Sequence, residues 1–134
     1  MNTRRFVFDA SIENYSPSIE EEILESISGW SDYRKYYARL CLEEAVANAI
    51  EHGNKGTGKI TLWYRFRDDL LTAAVKDQGE GFDLDSVPDP TTEENREADH
   101  GRGIWLMRIY ANELRYNKKG NIVLLKFLRT KQQI

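Results

Sequence analysis

The stretch Leu42-Glu43-Glu44-Ala45-Val46-Ala47-Asn48-Ala49-Ile50-Glu51-His52-Gly53 puts two different faces on one helix. At about 100° per residue, Leu42, Val46, Ala49 and Ile50 fall together and predict a core face. Glu44, Asn48 and His52 lie one above another on nearly the opposite side. Taken alone, such a helix has one buried face and one solvated face. A chemical reading stands beside that one: a carboxylate and an amide oxygen, one turn apart, look into a site. An amide oxygen suits Mg²⁺, a hard cation that keeps several waters and adds phosphate oxygens. A carboxylate there could orient, or take the proton from, a hydroxyl attacking a phosphate.

Outward from this segment, Ser31-Asp32 opens the helix and Gly53 ends it. Before it, Arg4–Ala10 alternates around Phe6 and Phe8 and predicts a strand. Ser16-Pro17 then predicts the start of a helix with Ile19, Ile23, Leu24 and Ile27 on one face, stopping at Gly29. After the long helix, Lys59–Arg67 and Leu70–Lys76 predict a hairpin turning at Asp68-Asp69. Phe82 to His100 has no usable periodicity and contains Pro88 and Pro90; a loop of that length in so small a domain is usually functional or disordered. Ile104–Tyr110 returns to helix. Glu113–Tyr116 and Asn121–Leu128 predict a closing hairpin around Asn117–Gly120. Hairpins clustered beside helices predict an α+β two-layer sandwich, a mixed, mainly antiparallel sheet with helices on one face.

The chain has 134 residues, the size of one domain, and residues 1–134 are expected to form one. Its apolar share of 40% excludes a disordered polypeptide. Net charge is −3, which argues against non-specific nucleic-acid binding, since that needs a basic surface. The charge is unevenly placed. Gly79 to Gly101 holds eight acids against Arg96 alone, net −7, and Arg102 to Ile134 holds eight bases against Glu113 alone, net +7. The single cysteine, Cys41, cannot close an internal disulfide. With no signal-peptide-like start and no apolar run of membrane-spanning length, a soluble, cytoplasmic protein is expected.

Two further segments offer chemistry. Asp77-Gln78-Gly79-Glu80-Gly81 follows a strand directly. It is by default a glycine turn, yet an acid at a strand end can accept from the exocyclic amine of a purine, with the glycines letting ligand and backbone approach. Gly101-Arg102-Gly103 precedes a helix, where backbone N–H groups and the helix dipole favour an anion. It is otherwise an ordinary way into a helix. No Gly-x-x-x-x-Gly-Lys-Ser/Thr phosphate loop occurs. Glycines at both ends of the acidic loop are what a segment closing over a ligand would need.

Taken in order, Glu44-Ala45-Val46-Ala47-Asn48-Ala49 with His52-Gly53, Asp77-Gln78-Gly79-Glu80-Gly81-Phe82 and Gly101-Arg102-Gly103-Ile104 resemble the N, G1 and G2 boxes of the GHKL ATPases, which define the Bergerat (histidine-kinase-like ATPase) fold. Val87-Pro88-Asp89-Pro90, Glu94-Asn95, Trp105-Leu106-Met107 and Asn117–Gly120 with Asn121-Ile122-Val123 narrow the likeness to the anti-sigma factor serine-protein kinases of the RsbW and SpoIIAB type. It covers about Arg4 to Leu128. The resemblance implies ATP and Mg²⁺ as cofactors, Glu44 as the base that aligns a protein serine hydroxyl, and Asn48 as the metal ligand. It implies Asp77 on the adenine amine, Gly79 and Gly81 shaping the pocket, and Gly101, Arg102, Gly103 and Ile104 around the phosphates. Residues 82–100 would form the ATP lid. The implied partners are a sigma factor and a STAS-domain anti-anti-sigma protein, with the kinase as a homodimer, no direct nucleic acid and no membrane.

Rival members of the superfamily need more than this sequence holds. A histidine kinase requires a helical dimerisation domain with a phospho-accepting histidine, and here there are only His52 and His100. The serious alternative is a non-catalytic, ATP-gated protein-binding switch. Glu44 favours catalysis, because binding alone needs no base.

Overall fold

The computed structural model describes residues 3–80 and 99–130. In chain order the elements are β1 (Arg4–Asp9), α1 (Ser18–Glu25), α2 (Asp32–Asn48), β2 (Lys59–Arg67), β3 (Leu70–Lys76), α3 (Asp99–Tyr110), β4 (Glu113–Tyr116) and β5 (Ile122–Leu128). A single 3₁₀ turn, Ile12–Asn14, precedes α1, and a π-helical turn, Ala49–Gly53, continues α2.

The described strands form one five-stranded sheet in the order β1-β2-β3-β5-β4. Every pairing among the described strands is antiparallel, so the few parallel pairs of a mixed sheet are not found among the described residues. Parity explains this. Two helices separate β1 from β2, and a helix plus a strand separate β3 from β5. Each returning strand therefore runs opposite to its neighbour, whereas a single crossover helix would make the pair parallel. The β2–β3 hairpin turns where expected, with Asp68 and Asp69 at φ 54° and 58°. Two successive residues in the left-handed region give a turn whose twist matches the strands.

Strand alternation sets the core. Leu62, Val75 and Val123 lie in one cross-strand row, Tyr64, Ala73 and Leu125 in the next. All six are buried, against Ala38, Cys41, Leu42, Ala45 and Val46 of α2 and Ile104 and Met107 of α3. Fully burying one such aliphatic side chain contributes about 1.5–3 kcal/mol.

The helix ends depart from expectation in instructive ways. Ser31 does cap α2, its hydroxyl accepting from the Arg34 amide at 3.2 Å. Ser16 and Pro17 lie before α1, which begins only at Ser18 with Pro17 at the cap position. α3 begins at Asp99, five residues before the expected Ile104, so Gly101 and Gly103 lie inside its first turns. Arg34, 4% exposed, ties the start of α2 to the far ends of α3 and β5. It donates to the Tyr110 carbonyl at 3.1 Å, the Leu128 carbonyl at 3.1 Å and Asn112 Oδ1 at 2.9 Å. That clamp fixes where α3 lies along α2.

Candidate nucleotide site

Two cavities meet at the C-terminal end of α2. The first, about 330 Å³, is walled by Ala45, Asn48 and Ala49 of α2, by His52 and Gly53 of the π turn, and by Val75, Asp77 and Gly79 at the end of β3; Tyr116, Asn121 and Val123 close it. The second, about 460 Å³, lies between α2 and α3, lined by Leu40, Glu44, Ala47 and Glu51 on one side and by Gly103 and Leu106 on the other. Asn48 and His52 line both.

The first cavity owes its shape to backbone packed on backbone. A Cβ on Gly53 would run into the Asp77 carboxyl, and one on Gly79 into the Gly53 carbonyl. Only hydrogens fit at either place. The π turn, a widening often found at functional sites, brings Gly53 to this contact. Asp77 accepts from the Gly79 amide at 2.8 Å. Burial raises its pKa above the ordinary aspartate value, against the opposing pull of that amide and of Lys119. Tyr116, beside it in the wall, is likewise pushed up, first by burial and then by the Asp77 charge. Asp77 is thus a half-buried carboxyl with spare acceptor capacity facing a cavity.

Asparagines hold this end together; the sequence marked Asn117 and Asn121 only as part of a turn and of the resemblance, and Asn54 not at all. Asn54, 8% exposed, accepts from the Gln78 amide at 2.6 Å and donates to the carbonyls of Thr57 and Lys59 at 2.7 and 2.9 Å. Asn117 Oδ1 accepts from the amides of Gly120, Asn121 and Ile122, while its Nδ2 donates to Asn121 Oδ1 at 2.8 Å. Asn121 in turn donates to the Asp77 carbonyl at 3.3 Å, and its own carbonyl accepts from the Asp77 amide at 3.0 Å. Its side chain is committed to holding the β3 and β5 ends together. An Asn-x-x-Gly-Asn turn was the available signal for Asn117 and Asn121. Asn54 offered none, because its partner Gln78 is 24 residues away.

The second cavity is built by one helix laid on another. Glu44 is half-buried on α2, and a Cβ on Gly103 would stand 2.6 Å from its Oε2 and 3.2 Å from Asn48 Nδ2. Gly103 is therefore what lets α3 approach the two polar side chains. Asn48 departs from the expected solvated face: it is 9% exposed, and its Nδ2 has no hydrogen-bond partner among the described residues. His52 is exposed. The structure thus brings Glu44, Asn48, Asp77, Gly79 and Gly103 to two adjoining cavities. Gly101 is the third residue of α3, among the initial amides of a helix that have no intrahelical acceptor, and Arg102 follows it in the helix. Ile104 is fully buried in the core, so only its backbone could serve a ligand. Gly81 and all but the last two residues of the expected lid, 82–100, lie outside the described residues.

Comparison with known proteins places these features in a family context. The family model described as the histidine kinase-like ATPase domain matches residues 16–127. The serine-protein kinase RsbW of Listeria innocua is 27% identical over 104 residues, covering 70% of this chain and 66% of the relative. The serine-protein kinase RsbW of Staphylococcus epidermidis is 26% identical over 106 residues, covering 71% and 67%. The chain spans about two-thirds of the length of these relatives. No helix among the described residues is long and apolar enough to cross a membrane.

Proposed function

The chain belongs to the histidine kinase-like ATPase domain family, and from that premise we propose that it is an ATP-dependent serine-protein kinase of the anti-sigma factor type. In this reading residues 1–134 act as one domain that homodimerises, holds a sigma factor, and phosphorylates a STAS-domain anti-anti-sigma protein. The supporting observation is the pair of adjoining cavities with Asn48 between them, Asp77 in one and Glu44 in the other. A nucleoside and a phosphate-bearing reaction centre need that division.

Adenine occupies the first cavity, its exocyclic amine donating to the Asp77 carboxylate and its ring sliding past Gly53 and Gly79. The phosphates reach past Asn48 toward the free amides at the start of α3, where the helix dipole favours negative charge. Glu44 stands at the edge of the second cavity, where an acceptor serine would enter. It orients the hydroxyl and takes its proton as the serine oxygen bonds to the γ-phosphorus and the bond to the ADP oxygen breaks. The protein supplies positioning and charge placement rather than covalent chemistry.

A metal ion fits this donor set. No cluster of three or more His, Cys, Asp or Glu suited to a metal exists among the described residues. Mg²⁺ does not need one, since it commonly takes one protein oxygen, several waters and substrate phosphates. The Asn48 amide, whose nitrogen has no hydrogen-bond partner among the described residues, would present that oxygen. The bound ion would neutralise phosphate charge.

The test is transfer of radiolabelled γ-phosphate from Mg·ATP to a STAS-domain partner protein. Phosphoserine on the partner is expected, and Glu44→Gln should abolish it while ATP still binds. Equal transfer by Glu44→Gln would sink the assignment of the base. Normal ATP binding with no transfer to any partner would favour the ATP-gated switch.

A further inference from the structure

Along α2, Tyr33, Tyr36, Tyr37, Leu40 and Glu44 recur at three- and four-residue steps and share one face of the helix. α3 runs antiparallel beside it. Gly103 meets Glu44 at one end, and Tyr110 stacks on Tyr37 at the other, ring centroids 3.7 Å apart and planes 10° from parallel. Seven residues separate the two contacts on each helix, roughly 10 Å at the helical rise. The cavity holding Glu44 runs from His52 past Glu44 and reaches in between them as far as Leu40 and Leu106.

Beyond the stacked pair the aromatic surface continues outward. Tyr33 and Tyr36 each meet Tyr37 edge-on, with centroids 4.8 and 4.9 Å away, yet are 60% and 48% exposed. The exposed Arg39 guanidinium lies 5.5 Å from the Tyr36 ring centre. Rings fixed by one another lose little freedom when covered, and Tyr and Arg are enriched where proteins dock. Neither feature is needed to bind a nucleotide: the ladder lies a helix-length away from Asp77, on the Glu44 side.

We propose that this ladder is the docking site for the segment that carries the acceptor serine. An extended chain lies along the α2–α3 groove with its serine at Glu44, a large apolar side chain on Tyr36 and Tyr37, and a carboxylate beside that anchor on Arg39. Tyr36 is eight residues, roughly 12 Å, from Glu44 along the helix. Extended chain covers about 3.3–3.6 Å per residue, so the anchor sits three or four residues from the serine. The site depends on the kinase reading of Glu44, and continuity of the ladder with that cavity selects a substrate segment over any other occupant.

The experiment uses single-serine peptides with a Phe-Asp anchor placed two to six residues away on either side, or with Ala-Ala in its place. Transfer from Mg·ATP is measured for the unmodified chain and for Tyr36→Ala and Arg39→Ala. A preference of at least tenfold in kcat/KM is expected for a spacing of three or four. Tyr36→Ala should erase it and Arg39→Ala should reduce it, with the ATP Kd unchanged within twofold. Efficient transfer that ignores the anchor, or a preference that survives Tyr36→Ala, overturns the docking site and leaves the kinase standing. No transfer to any peptide from a chain that phosphorylates a STAS-domain partner overturns the docking site alone, and no transfer to either from a chain that binds ATP overturns both.

Discussion

The two ends of the site are built on opposite plans. Around Asp77 the side chains of Asn54, Asn117 and Asn121 and the Gly79 amide are joined in one hydrogen-bonded frame. At the Glu44 end the balance reverses. Asn48 Nδ2, beside Gly103 at the second cavity, is buried with no hydrogen-bond partner among the described residues. Buried polar groups in folded proteins are nearly all paired, so such an exception in a cavity wall marks stored cost or a waiting ligand. The contrast fits the proposed division of labour. Adenine needs a fixed slot, whereas a transferring phosphate needs groups that stay available until it arrives.

The largest effect is expected where backbone meets backbone. Gly79→Ala drives a methyl into the Gly53 carbonyl, and no side-chain rotation can relieve it. Denaturant unfolding should show a loss of about 3 kcal/mol, and calorimetry an ATP affinity lowered by roughly a hundredfold. A variant that binds ATP normally would mean the close approach has no part in the pocket.

Gly103→Ala tests the other plan. Its methyl meets the end of a flexible side chain, the Glu44 carboxylate, which can move aside. Stability should fall by about 1 kcal/mol and ATP affinity by less than about threefold, while phosphoryl transfer drops roughly a hundredfold because the base is misplaced. Equal losses in binding and transfer would erase the distinction between the two ends.

The smallest effect concerns pH. Burial first, and the neighbouring Glu43 carboxylate second, raise the pKa of Glu20. The folded chain then holds this proton more tightly than the unfolded chain. Stability is therefore lost as pH rises from the ordinary glutamate range through the raised value. Glu20→Gln should remove that stretch of the slope and leave the protein more stable than the parent at pH 7. Melting temperatures from pH 4 to pH 8 decide it; a parent that gains on the variant as pH rises contradicts the assignment.

Much of this architecture was legible in the residues. The β2–β3 hairpin followed from alternation and Asp68-Asp69, and the core face Leu42, Val46, Ala49 and Ile50 from helical spacing, because both are local patterns. What stayed hidden depends on distant partners. Gly101 and Gly103 read as a loop before a helix, since isolated glycine weakens helices. Their place inside α3 makes sense only once Glu44 and Asn48 are seen pressed against Gly103. Asn48 read as solvated because its spacing matched Glu44 and His52, whereas α3 covers it. The tyrosine ladder needed the antiparallel pairing of α2 and α3, which places Tyr37 on Tyr110 across 73 residues of sequence.

The claim that Asp77 reads a base amine in a fixed slot is tested most directly by nucleotide choice. Calorimetry should show the unmodified chain binding ATP at least roughly tenfold more tightly than GTP, which carries an oxygen where adenine carries its amine. Asp77→Asn should weaken ATP by roughly a hundredfold and shrink that preference. Equal affinity for ATP and GTP, or an Asp77→Asn variant that still prefers ATP as strongly as the parent, would contradict it.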